Sequence, residues 1–127
     1  MAITHVTSIR SGLADYVVDA IDGSTGDANG DLVIMTSGDV EVATLAFSDP
    51  AFGAASSGTA TANAISDDTN ATGGTAALFK VQDKGNNEIF RGSVTATGGG
   101  GDLQLSSVSI GNGDTVSVTS CTYTAPN

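Results

Sequence analysis

The sequence has no tryptophan, one cysteine, one histidine and four basic residues among its 127 positions. Each scarcity removes a class of function. A lone cysteine, Cys121, cannot close a disulfide within the chain, which excludes a disulfide-stapled secreted scaffold. Acid–base or covalent catalysis needs a titratable base held beside a nucleophile. The single histidine, His5, lies near the N-terminus and Cys121 near the C-terminus, and no G-x-S-x-G segment occurs. The sequence therefore predicts a chain that is not an enzyme and has no cofactor or metal. Fourteen acidic residues against four basic ones give a net charge of −10. That balance repels nucleic-acid phosphates and anionic membrane surfaces, so neither is an expected partner. No stretch approaches a membrane span, and the first ten residues lack the basic and apolar regions of a signal peptide. Synthesis in a cytoplasm is the expectation.

What remains is rich in Gly, Ala, Ser and Thr, with short strand-like runs between turns. One segment has a helical period. Ser11 is placed to cap it, and Leu13, Tyr16, Val17, Ala20 and Ile21 share an arc of roughly 140°, with Asp15, Asp19 and Asp22 opposite. The spacing predicts a helix over 11–22 that buries the first set, with Gly23 as its left-handed terminator.

Strands are expected at 31–36, apolar on both faces, and at 41–47, 59–65 and 75–81. In the last of these Phe79 and Val81 share a face. Gly85-Asn86 marks a hairpin into 88–94, where Phe90 and Val94 point one way and Arg91 the other. Gly98–Gly101 reads as a flexible connection before Leu103 and Leu105 alternate. The final run, 115–124, changes parity between Val116/Val118 and Cys121/Tyr123, so it needs cover on both faces or a bulge near Thr119–Ser120. The fold class expected is mainly β: an antiparallel β-sandwich of about seven short strands with one N-terminal α-helix. Residues 1–10 form an N-terminal arm, and 11–127 a single domain.

Candidate ligand motifs fail on inspection. Asp27-Ala28-Asn29-Gly30-Asp31 opens like a calcium loop, but its sixth and twelfth positions are Leu32 and Gly38 instead of Gly and Glu. Asp67-Asp68-Thr69-Asn70 reads as a solvated loop. The four cations, Arg10, Lys80, Lys84 and Arg91, are expected to pair with neighbouring carboxylates.

Three stretches carry a resemblance. They are Gly12–Asp19 (GLADYVVD), Asp49–Ala55 (DPAFGAA) running on to Thr61–Ile65 (TANAI), and Asp102–Leu105 (DLQL) followed by Thr115–Ser120 (TVSVTS). Together they resemble small β-rich virion proteins of tailed bacteriophages and prophages, encoded among the head genes. The resemblance spans nearly the whole chain in the same order. Where relatives carry an Arg-Ile-Tyr-like strand, this chain reads Leu32-Val33-Ile34-Met35. It implies a capsid decoration, or cement, protein that binds the major capsid protein lattice on the virion surface, often as a trimer, after assembly in the host cytoplasm. A head–tail connector or a tail or fibre component is the alternative.

The low aromatic content and short Gly-rich strands suit a modest core supported by association with a partner. The arm interleaves Ile3, Val6 and Ile9 with polar residues, so it either folds back as an edge strand or reaches a neighbour. In the second case those three residues supply contact area and Arg10 pairs with an acidic group across the interface.

Overall fold

In the computed structural model, which describes residues 3–126, the helix starts earlier than its periodicity suggests and turns a different face inward. Met1 and Ala2, the first residues of the expected arm, lie outside the described residues, as does Asn127. Helix α1 runs Thr7–Asp19 and tightens into a 3-10 turn at Ala20–Asp22. The arm boundary placed between Arg10 and Ser11 thus falls inside the helix. Val6, not Ser11, is the N-cap, and no side chain caps the helix there. Gly23 keeps φ at −87°, so the chain leaves the helix without a left-handed residue.

Ala14, Val18 and Ile21 are the buried positions of this segment, while Leu13 is 40% and Tyr16 80% exposed. Of the expected buried stripe only Ile21 is fully buried, with Val17 and Ala20 partly so; Leu13 and Tyr16 lie outside, because the supposed solvent face is occupied by a loop. Asp15 Oδ1 accepts the Ala55 amide at 2.7 Å, Ser11 Oγ accepts the Gly58 amide at 3.0 Å, and both Asp22 oxygens accept the Ala51 amide at 3.2 Å. Loop 51–58 carries backbone donors that have no strand partner, and the polar residues of the helix satisfy them.

The chain is mainly β, with 36% of its described residues in strand or bridge and 13% in helix. Five strands form one sheet in the order β2-β1-β5-β6-β7: β1 (Asp31–Met35), β2 (Glu41–Ala46), β5 (Leu78–Gln82), β6 (Glu88–Ala96) and β7 (Leu103–Leu105). Two ribbons complete the fold, β3 (Thr59–Thr61) with β9 (Thr122–Thr124) and β4 (Gly74–Thr75) with β8 (Ser109–Ile110). The sheet curls into a half-barrel and not into one of two plainly facing layers. Register shifts at Ile34/Met35 and Val81/Gln82 help bend it, since a bulge increases local twist. Phe79 stands opposite Gly92, where an added Cβ would meet its ring at 2.7 Å. β1 is buried along both faces, as its apolar run predicts.

Two expectations for the C-terminal half change. β7 pairs with β6 in parallel, Val94 opposite Leu103, although only six residues separate the strands. The four-glycine run is a tight reversal along Thr95 more than a loose connection. A Cβ on Gly99 or Gly101 would lie 2.7 or 2.9 Å from the Thr95 side chain, and Gly98 and Gly100 take φ of +88° and +81°. The expected long strand 115–124 reduces to a bridge at Val116 with Asp68 and to β9. Its parity change is absorbed by the irregular stretch between them, which buries Val116 and Val118 and then Cys121.

A continuous hydrophobic cluster runs from Val18 to Cys121 and joins the sheet to the β3–β9 ribbon through Ala60 and Tyr123. Helix α1 rests on that ribbon. Ile21 closes against the start of β1, where a Cβ on Gly30 would lie 2.4 Å from its Cγ2.

Candidate interaction surface

Six large apolar side chains are exposed among the described residues, and five of them belong to one short stretch: Ile3, Val6, Ile9, Leu13 and Tyr16. The sixth is Val40. Such clustering is unusual for a chain whose other aromatic rings are packed together. Phe47 lies against Phe52 with centroids 5.6 Å apart, and Phe90 against Tyr123 at 5.0 Å.

Successive helical residues turn by 100°, so Ile9, Leu13 and Tyr16 stack on one side of α1, with Val6 at the cap and Ile3 ahead of it, outside the helix. Their side lies roughly 150° round the axis from Ala14 and Val18, which face the ribbon. The helix thus has two apolar faces, one covered and one bare. Of the candidate contact residues, Ile3 is 70%, Val6 68% and Ile9 52% exposed.

Arg10 behaves differently. It is half-buried, its Nη2 donates to the Ala125 carbonyl at 3.2 Å, and its Nε is buried with no hydrogen-bond partner among the described residues. Gly58, at φ +79°, passes so near that a Cβ there would lie 3.0 Å from the guanidinium carbon. The expected outward ion pair is replaced by an inward tie between α1 and the C-terminal segment. Leu13 and Tyr16 take its place on the bare side. Sequence reasoning assigned both to the core, although their spacing continues from Val6 and Ile9 and could have revealed them.

The other polar candidates are engaged in the fold. Lys84 pairs with Asp49 at 2.7 Å, and Arg91 with Glu88 at 2.8 Å and Asp39 at 3.1 Å. Lys80 forms no ion pair among the described residues. Asp68 accepts the amides of Thr44 and Asn70, both at 2.9 Å, so this acidic loop fastens β2 to the segment before β4. Asp83 accepts the Gly85 and Asn87 amides at 2.9 Å, and the bonds from Asn87 do most to hold its carboxyl below the usual range. The Arg91 guanidinium does the same for Glu88. Burial pushes the carboxyls of Asp22 and Asp31 upward, with nearby Asp27 adding to the effect at Asp31. His5 is exposed, and burial raises the Cys121 thiol to about 11, far from the range of a reactive thiolate.

A groove of 590 Å³ runs between β7 and the irregular stretch 117–122, lined by Ser and Thr with Leu103, Leu105 and Val118. Asp102 is the one charged side chain in its walls, and that carboxylate accepts the Ser93 amide at 3.0 Å and the Ser93 hydroxyl at 3.1 Å. No protein-family model, curated protein or solved structure matches the chain.

Proposed function

We propose that the chain is a non-enzymatic structural protein of a tailed-phage virion, a decoration protein that binds the major capsid protein lattice on the capsid surface and stabilises the head. The observation that carries this reading is the bare apolar surface at Ile3, Val6, Ile9, Leu13 and Tyr16. A patch of that kind marks an interaction site more often than it occurs on a free monomer. The resemblance of GLADYVVD, DPAFGAA with TANAI, and DLQL with TVSVTS to phage head-gene products names the setting. The uses found for the polar groups agree: carboxylates accept backbone amides or pair with cations, and the one thiol is buried.

Within this reading the two ribbons serve as the second layer of a sandwich over the curled sheet. The protein works as a homo-oligomer, as the same resemblance implies, assembled in the host cytoplasm. The net charge of −10 favours a docking region on the shell that is apolar at its centre and basic around it.

The test is reconstitution. Purified chain is added to expanded capsids that lack it, and occupancy is read by gel densitometry and by the capsids' thermal stability. Residues 2–9 include the first turn of α1, so substitution serves better than truncation. Ile3→Asp, ahead of the helix, should leave the fold intact and abolish binding. Full occupancy by that variant would move the docking surface elsewhere.

A further inference from the structure

We infer that the bare side of α1 pairs with the same side of α1 on a second copy of this chain. This rests on the reading that the apolar N-terminal surface is an assembly contact, and it names the occupant of the helical part. The exposed positions 6, 9, 13 and 16 are separated by three, four and three residues, the alternation of the a and d sites of a heptad. At 100° per residue they fall within an arc of roughly 80°, a narrow seam and not the broad face a helix lays on a globular core. A seam of that width fits another helix with the same spacing, and a second copy provides it.

Three further observations favour a copy of the chain over a different surface. The seam holds no charged side chain, so two acidic chains can meet there without opposing carboxylates. Of the three charged residues of α1, Arg10 and Asp15 are tied to Ala125 and Ala55 of their own chain, which leaves Asp19 at the margin. Gly12, beside Ile9, Leu13 and Tyr16, has open space around an added Cβ, so a partner helix can approach closely on that side. The helix is also already formed. Two heptads are too few to fold alone, but Ala14 and Val18 hold α1 on the β3–β9 ribbon, and ordering it on association costs little.

The area sets the strength. Five side chains expose several hundred Å² of apolar surface, below the roughly 800 Å² per partner of a standard interface. Association in solution is therefore concentration-dependent, and repetition on a lattice strengthens it.

Sedimentation velocity of the purified full chain over a wide concentration range tests this. The parent should shift from monomer to a discrete oligomer, and Leu13→Glu and Tyr16→Lys should each remain monomeric with unchanged circular dichroism. Tyr16 is so exposed that its replacement leaves the fold alone, which covers the case in which Leu13→Glu does not fold. Under mild oxidation Leu13→Cys should give a chain-to-chain disulfide, whereas Thr69→Cys, on an exposed loop, should not. Cys121 is buried and does not compete. A parent that stays monomeric at the highest concentration overturns the inference, as does association that survives both seam substitutions. Capsid binding keeps the two readings apart. A monomeric parent that still decorates capsids sinks only the pairing, and an associating parent that ignores capsids sinks only the decoration role.

Discussion

Val18 and Leu13 sit five residues apart on α1, and their truncation should cost the fold very different amounts. Val18 is 1% exposed within the main cluster, whereas Leu13 is 40% exposed on the bare side. Val18→Ala removes two carbons, a transfer loss of about 1.6 kcal/mol at about 0.8 kcal/mol per carbon. The site also collapses poorly, because Ser11, Asp15 and Asp22 pin this segment to loop 51–58 through the amides of Gly58, Ala55 and Ala51. Adding the residual cavity brings the expected cost to about 2–3 kcal/mol. For a chain of this size that lowers the melting temperature by about 8–12 °C. Leu13→Ala, which removes one carbon more, should cost under about 1 kcal/mol in the monomer, since it leaves no cavity. Urea unfolding followed by far-UV circular dichroism, at a dilution where association contributes nothing, measures both. Equal losses, or a larger loss for Leu13→Ala, would refute the helix orientation and with it the bare seam.

Gly30→Ala and Gly12→Ala form a second contrast by the same assay. The first would drive a Cβ to 2.4 Å from Ile21 and 2.6 Å from the Gln82 carbonyl and should be severely destabilising; the second, in open helical space, should stabilise by about 0.5–1 kcal/mol. The Cys121 thiol should resist a soluble disulfide reagent at mildly alkaline pH in the folded chain and react at once in urea, because burial both shields it and raises its pKa. Stability should peak on the acid side of neutrality. Asp22 and Asp31 bind protons more readily folded than unfolded, so stability rises as pH falls from neutral toward their ordinary value of 3.8. Asp83 and Glu88 do the reverse, so the gain is lost as pH falls further, through their lowered folded values. Denaturation midpoints across that range that fall steadily from neutral pH would contradict the assignment.

The sheet was the legible part of the sequence, and the helix surface was not. The apolar run Leu32–Met35, the Phe79/Val81 and Phe90/Val94 parities and the Gly85-Asn86 turn describe strands that each have a hairpin neighbour close in sequence, β1 with β2 and β5 with β6. Period alone fixes such pairs. The misreading of α1 arose because amphipathicity assumes that polar means wet. Asp15, Asp22 and Ser11 face loop 51–58, whose unpaired amides need acceptors, and that demand comes from residues some thirty to fifty positions away. The parallel β6–β7 pair was hidden for a related reason. Parallel strands ordinarily need a long crossover, and a short one closes here because glycines at 98–101 fold back on Thr95. Within the candidate surface, Ile3, Val6 and Ile9 were legible as apolar residues at a terminus. Arg10 was not, since its carbonyl partner lies at the far end of the chain.

Quantifying the chain in purified virions bears most directly on the decoration role. Mass spectrometry against the major capsid protein should give a copy number that scales with the shell, at a fixed ratio to its capsomers, and removal of the chain should lower the temperature at which the head opens. A count of only a few copies per particle, as a connector or fibre would show, or absence from the particle, would contradict it.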